Sequence, residues 1–176
     1  LKFEFFFAPK RDFAAELGAE LALYDSDWDQ PGGDPAQVWK RLTASGLFVA
    51  HRVLRSFLEA YLVVAEQLHG TGSVAAGDEE DFVSRCVGVA RQWHLQGRLA
   101  SPESASKELF RAGWRLSANR DLLGDPAGDS DLAGRRAAFA AEVADTLGRV
   151  ERVREAAAGV LPPGARGVPG VDKVVS

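Results

Sequence analysis

The spacing of apolar and polar positions along the chain is mainly helical. Apolar residues recur at intervals of three and four over most of its length, which is the period of one face of an α-helix. Stretches rich in glycine and proline separate these segments, as expected for connecting loops. The pattern predicts six helices, over residues 10–24, 36–45, 47–70, 78–96, 101–123 and 132–158.

Segment 47–70 gives the strongest helical signal. Its apolar stripe is wide enough to contact several neighbouring helices rather than one. The stripe consists of Leu47, Leu54, Phe57, Leu58, Tyr61, Leu62, Ala65 and Leu68. Charged residues, among them Arg55 and Glu59, are predicted to lie off this stripe. Gly70 is predicted to close the helix in the left-handed conformation.

Local signals mark the ends of the next two helices. Acidic residues 78–81 stand where the dipole at a helix N-terminus favours negative charge. Gly97 is predicted to end that helix, whose inward residues would be Phe82, Cys86, Val89 and Trp93. Ser101 is a good N-cap for the helix over 101–123, and Pro102 suits its first position. Its inward stripe is predicted to comprise Ala105, Leu109, Ala112 and Leu116, widened by Phe110 and Trp114.

The two ends of the chain are less regular. Residues 1–7 alternate apolar and charged positions, so they are either a short strand or the last turn of a helix before Pro9. The Phe cluster there is interpreted as core packing, with an acyl-chain surface as the alternative. Residues 160–176 are rich in proline and glycine and are predicted to be disordered. We therefore expect a mainly α fold, an irregular bundle of five or six helices over residues 1–159.

Composition limits the classes of function. The net charge of −4 argues against electrostatic binding of nucleic acid over a broad surface, because such binding needs a clustered basic face. Cys86 is the one cysteine and is predicted to be a small buried residue in a helix. No apolar stretch approaches the roughly 20 residues of a membrane span. Because the chain begins at Leu1 rather than Met, we expect it to be part of a longer polypeptide.

Candidate chemistry is sparse, and we predict no catalytic, cofactor-binding or metal site. The three histidines, His51, His69 and His94, lack a second ligand at a convincing spacing for zinc. Residues 25–35 have aspartates at alternate positions, but Gln30 stands where a calcium loop needs glycine. Phosphate-loop and nucleophile-elbow motifs are also absent from the sequence.

One polar cluster flanks the turn between the predicted helices 78–96 and 101–123. It has three interpretations: a hydrogen-bonded turn between helices, a surface that docks on a neighbouring domain, or an anion site at a helix N-terminus. Its members are Arg91, Gln92, His94, Gln96, Arg98 and Lys107.

Three ordered segments carry a family resemblance. They are "LKFEFFFAPKRDFAAEL", "VLRSFLEAYLVVAEQL" and "RQWHLQGRLASPESASKELFRAGWRLSANRDLL". Together they resemble the C-terminal region of bacterial membrane-associated glycerol-3-phosphate acyltransferases, and the actinobacterial members most. The similarity runs in order from Leu1 to about Val150.

The resemblance implies a role in the first step of phospholipid synthesis. The family transfers an acyl group from acyl-CoA or acyl carrier protein to the 1-hydroxyl of glycerol 3-phosphate, at the cytoplasmic face of the plasma membrane. Its catalytic His-x-x-x-x-Asp motif is missing here, because Ser56, Val74 and Leu99 stand five residues after the three histidines. The expected role is therefore a non-catalytic helical region that braces a catalytic domain of the same polypeptide, and the chain alone should be inactive. The alternative is a stand-alone helical interaction or dimerisation module.

Overall fold

The computed structural model describes residues 10–24, 26–27 and 50–158. They form five α-helices: α1 Lys10–Tyr24, α2 Ala50–Gly70, α3 Glu79–Leu95, α4 Lys107–Asn119 and α5 Leu132–Ala157. Two short 3-10 helices, Ala76–Asp78 and Pro102–Ala105, lie before α3 and α4. The predicted mainly α fold is thereby confirmed. The predicted short helix 36–45, the possible strand at residues 1–7 and the tail 160–176 lie outside the described residues.

The chain divides into two units, and each is considered by itself. The larger unit contains residues 51–151, and the other contains residues 1–50 with 152–176. In the second unit, helix α1 has the predicted bounds, and its Leu17 and Leu23 are exposed.

Helix α2 supplies the centre of the larger unit. Between Leu58 and Leu68 it is buried on nearly every side, so its stripe is wider than the sequence pattern indicates. Burial on all sides is typical of a helix that is surrounded by neighbours. Gly70 ends the helix without a positive φ, so the predicted left-handed cap there is wrong.

Helix α3 ends within one residue of the predicted position, and of its predicted inward residues Phe82 and Cys86 are buried while Val89 and Trp93 are half-buried. Its buried residues are Phe82, Val83, Cys86 and Ala90. Gly97 follows the helix with φ +71°, and its N–H and that of Arg98 donate to His94 and Trp93 carbonyls at 3.0 and 2.8 Å. This is the Schellman arrangement that satisfies the last carbonyls of a helix.

The segment predicted as one helix over 101–123 is two helices. Ser101 caps only the 3-10 helix Pro102–Ala105, accepting a hydrogen bond from the Glu103 N–H at 3.3 Å. The backbone then becomes extended at Ser106, whose hydroxyl caps α4. The predicted inward stripe is confirmed only in part: Phe110, Trp114 and Leu116 are buried, whereas Ala105, Leu109 and Ala112 are half-buried. The buried face is displaced from the predicted one, because Gly113 and Ser117 lie at its centre with Phe110 and Trp114, at helical spacing.

The packing of α4 explains this displacement. The Trp114 ring packs on Phe82 of α3 with ring centroids 5.0 Å apart. Gly113 faces α2, where an added Cβ would lie 3.0 Å from Val64 Cγ2. A glycine at this position therefore allows the two helices to approach closely.

Candidate functional site

The part of the chain that the structure describes contains no group of acidic, histidine or cysteine side chains able to hold a metal ion. Cys86 is fully buried, and burial raises the pKa of its thiol to about 12, with Arg85 acting weakly in the opposite direction. A thiol with that pKa stays protonated at neutral pH and is a poor nucleophile. Its role is packing, as predicted. No helix in the described ranges is both long and apolar enough to cross a bilayer.

Two buried charged residues are the main chemical features of the larger unit. Glu59 on α2 is 1% exposed and Arg136 on α5 is 1% exposed. A charged side chain is rarely buried this deeply unless it is paired or fully hydrogen-bonded. Each of the two side chains therefore needs partners for its charge and its polar atoms.

Glu59 anchors the segment that links α3 to α4. Its Oε1 accepts hydrogen bonds from the Ala100 N–H at 3.0 Å and from Arg55 Nε at 2.8 Å. Its Oε2 accepts from the Ser104 hydroxyl at 2.6 Å and from the Ser101 N–H at 3.4 Å. The carboxylate thus satisfies backbone donors at the start of the second 3-10 helix, 41 or more residues along the chain. It fixes that connection on α2.

The same cluster reaches α5. Arg55 bonds Glu59 through Nε and also pairs with Glu151 through Nη1 at 2.7 Å. Burial acts to raise the pKa of Glu59, but the hydrogen bonds from Ser104, Arg55 and Ala100 and the charge of Arg55 outweigh it and lower that pKa. Glu59 is therefore ionised at neutral pH, and it is not suited to act as a general base because four donors already point at its oxygens.

Arg136 holds the loop that follows α2 and the loop that precedes α5. Its guanidinium donates to the carbonyls of Thr71 and Gly72 at 2.9 and 2.7 Å, and to those of Leu122 and Gly124 at 2.8 and 3.1 Å. Burial lowers the pKa of Arg136, and the charge of Asp125 acts weakly against that shift. Because the N–H groups of its guanidinium are directed at carbonyl oxygens, the side chain joins two loops rather than presenting a charge to a ligand.

A backbone bridge reinforces this junction. Val74 and Gly124 form an isolated antiparallel pair, with N–H to carbonyl distances of 2.9 Å and 2.8 Å. Gly124 has φ +123°, a conformation that side-chain-bearing residues rarely adopt. The loop after α2 and the loop before α5 are thus tied together twice, by main chain and by Arg136.

The six residues predicted to form a docking surface are all exposed. Two have local partners: His94 Nδ1 lies 3.2 Å from the Leu99 carbonyl, and the Arg98 guanidinium stacks 3.7 Å above the Trp93 ring. Lys107 is the first residue of α4. Arg91 and Gln92 lie on the outer side of α3, and Gln96 is its C-cap. The docking role stays a prediction.

Sequence reasoning missed both buried charges. The spacing puts Glu59 off the apolar stripe, yet Glu59 is buried, because α2 is covered on that side as well. One signal was available: Arg55 stands four residues before Glu59, a spacing that brings opposite charges together on a helix. Arg136 had no comparable signal, because its acceptors are main-chain carbonyls of two distant loops.

Comparison with known proteins supplies the remaining findings. Residues 1–125 match the family model described as the glycerol-3-phosphate acyltransferase C-terminal region. The acyltransferase plsB1 of Mycobacterium bovis and that of Mycobacterium tuberculosis are each 42% identical to the chain over 161 residues. The alignment covers 89% of the chain and 25% of either relative, so the chain spans about a quarter of their length. No solved structure matches the chain.

Proposed function

The chain belongs to the C-terminal region of the glycerol-3-phosphate acyltransferases, and from this premise we propose that it braces the catalytic part of a larger acyltransferase. The resemblance carried by the three sequence segments is thereby confirmed. The bracing role goes further than family membership and is the proposal made here. It would act by holding catalytic groups in productive geometry, which can be worth several kcal/mol of barrier (about 7–11 at the upper end).

The proposal rests on one combined observation: the chain is similar to acyltransferases, and it lacks the family's His-x-x-x-x-Asp motif. The chain is 42% identical to proteins named acyltransferases that are about four times as long. Yet no aspartate stands five residues after His51, His69 or His94. In this proposal the general base and its aspartate belong to another part of the polypeptide, and this region supplies support.

The two buried clusters suit a supporting role. Glu59 fixes the connection between α3 and α4 on the middle of α2 through hydrogen bonds that span 41 or more residues. Arg136 fixes the loops after α2 and before α5 through hydrogen bonds that span 12–65 residues. Satisfied buried polar networks favour one arrangement of a core over its alternatives. A region built in this way can present the same outer surface at all times, which a brace requires.

The proposed reaction of the whole protein is acyl transfer from acyl-CoA or acyl carrier protein to the 1-hydroxyl of glycerol 3-phosphate. Its product would be lysophosphatidate, formed at the cytoplasmic face of the plasma membrane. Both the reaction and the location follow from the family resemblance and are part of the proposal.

The test uses the complete acyltransferase polypeptide and radiolabelled glycerol 3-phosphate. Deleting residues 51–158 should abolish acyl transfer. Arg136→Met should lower the temperature at which activity is lost, while the KM values at low temperature stay near those of the parent. Arg115→Met, at an exposed position on α4, is the matched control and should change neither. Full acyl transfer after the deletion would overturn the bracing role.

A further inference from the structure

We propose that residues 100–105 form a segment that opens from α2 as a unit while the surrounding helices stay folded, and that the Glu59 carboxylate is the group that keeps it closed. The segment contains the second 3-10 helix, Pro102–Ala105, and the two residues before it. This inference concerns a conformational device in the larger unit, and it does not depend on the bracing role.

The attachment of the segment to its neighbours converges on one side chain. In the described part of the chain, three hydrogen bonds join it to another helix, from the Ala100 N–H at 3.0 Å, the Ser101 N–H at 3.4 Å and the Ser104 hydroxyl at 2.6 Å. All three end on the carboxylate of Glu59. Apolar burial adds little, since Ser104 is the one fully buried residue of the segment and the others are half-buried or exposed. Segments with few buried apolar contacts are those that open locally at low free energy.

The neighbouring helices do not need the segment to complete their own ends. Gly97, at φ +71°, closes α3, and the Ser106 hydroxyl caps α4 by accepting a hydrogen bond from the Leu109 N–H at 3.5 Å. The two helices also pack on each other away from the segment, where the rings of Phe82 and Trp114 lie 5.0 Å apart. Opening of the segment therefore leaves both helices capped and packed.

Two further features allow the segment to move. The backbone is extended at Ser101, with φ −122° and ψ 132°, and at Ser106, with φ −97° and ψ 131°. Non-helical residues thus lie on both sides of the 3-10 helix, and a few such residues can absorb the dihedral changes of a hinge. Arg55 remains beside Glu59 on α2, with its Nε 2.8 Å from Oε1, so the carboxylate keeps a counter-charge when the segment leaves. Opening therefore does not leave a buried charge unpaired, which would oppose it strongly.

Hydrogen exchange of the 176-residue chain at low urea concentrations, followed by NMR, tests whether the opening is local. Exchange at Ala100 and Ser101 should depend little on urea, because a short segment exposes little surface when it opens. Val63 and Val64, in the buried middle of α2, should instead show the urea dependence of global unfolding. Equal urea dependence at all four amides would mean that the segment opens only when the helices unfold, and it would overturn the proposal.

The role of Glu59 is tested by two variants under conditions in which exchange reports the opening equilibrium. Glu59→Gln removes the charge that the three donors share, and Ser104→Ala removes the hydroxyl donor while the carboxylate stays. Because hydrogen bonds to charged groups are the stronger ones, either variant should speed exchange at Ala100 and Ser101 at least about tenfold, which corresponds to about 1.4 kcal/mol. Glu66→Gln, one heptad further along the same side of α2, is the matched control and should leave that exchange unchanged.

The two variants keep the test decisive. If Glu59→Gln does not fold, Ser104→Ala decides alone, because it changes a single hydroxyl. Exchange at Ala100 and Ser101 that stays unchanged in Ser104→Ala, or that rises equally in Glu66→Gln, would refute the role assigned to the carboxylate.

Discussion

Substitution of Gly113 by alanine tests the central packing contact of the larger unit. Gly113 lies on the buried side of α4, and an added Cβ would be 3.0 Å from Val64 Cγ2 and 3.2 Å from Tyr61 Cδ1. Gly88→Ala on α3 is the matched control, since the same added atom there has nothing within 4 Å. Both glycines lie inside regular helices, so the two substitutions change helix propensity alike.

The magnitude follows from two opposing effects. Glycine to alanine inside a helix is favourable by about 0.8–1 kcal/mol, so Gly88→Ala should raise the free energy of unfolding by about that amount. At Gly113 the same gain is opposed by overpacking, which costs about 1–3 kcal/mol in a close-packed core. Val64 is fully buried and β-branched, so its side chain cannot rotate aside without losing its preferred rotamer. We expect Gly113→Ala to be less stable than Gly88→Ala by about 1–3 kcal/mol.

Urea unfolding of the 176-residue chain measures the difference. Far-ultraviolet circular dichroism follows the helices, and tryptophan fluorescence follows the four tryptophans together, among them Trp114, which packs on Phe82 beside the substituted position. The m-values should agree among the variants, so that the midpoints report stability. Equal stability of the two variants would refute the reasoning, because it would mean that α2 and α4 do not approach as closely as the structure places them.

Three further predictions concern the polar clusters and caps. Arg136→Met should lower the free energy of unfolding by at least about 3 kcal/mol, since it leaves several buried carbonyls without donors, and exposed Arg115→Met should be neutral by the same urea assay. Glu59 has a lowered pKa, so its stabilisation is complete above the ordinary glutamate value of 4.5 and is lost as the pH falls through its lower folded pKa. Glu59→Gln should therefore reduce stability at pH 7 by about 1.5–3 kcal/mol and flatten the fall in stability below pH 4.5, whereas an unchanged acid profile would contradict the assignment. Ser106→Ala should cost about 1 kcal/mol and Ser101→Ala less, because Ser106 caps the 13-residue helix and Ser101 only a four-residue turn; the reverse order in thermal unfolding would count against the observed boundary.

Helices could be located from the sequence wherever local signals and packing agree. The period of apolar residues and the glycine at position 97 give α3 nearly the observed bounds, and α1 has the predicted ones. The segment 101–123 shows the limit of this reasoning. Ser101 and Pro102 are the stronger starting signals, and Ser106, although it is also a suitable N-cap, does not by itself show that a second helix begins there. The break has a tertiary cause: Glu59 holds the main chain at Ala100 and Ser101, and α4 must then turn to place Trp114 on Phe82.

The family could also be recognised from ordered segments of sequence, but the buried charges could not. A period of three and four separates apolar from polar positions only when the helix has one buried side. Helix α2 is covered on nearly all sides, so Glu59 is buried although it lies off the apolar stripe. Arg136 lies on α5, whose outer side carries many arginines, and what distinguishes it is the presence of four carbonyl oxygens from two loops around its guanidinium. Those oxygens come from residues 12–65 positions away and leave no trace in the spacing of side chains. The polar contacts that hold the helices together therefore depend on where the loops lie, and the loops take up those positions only when the helices pack.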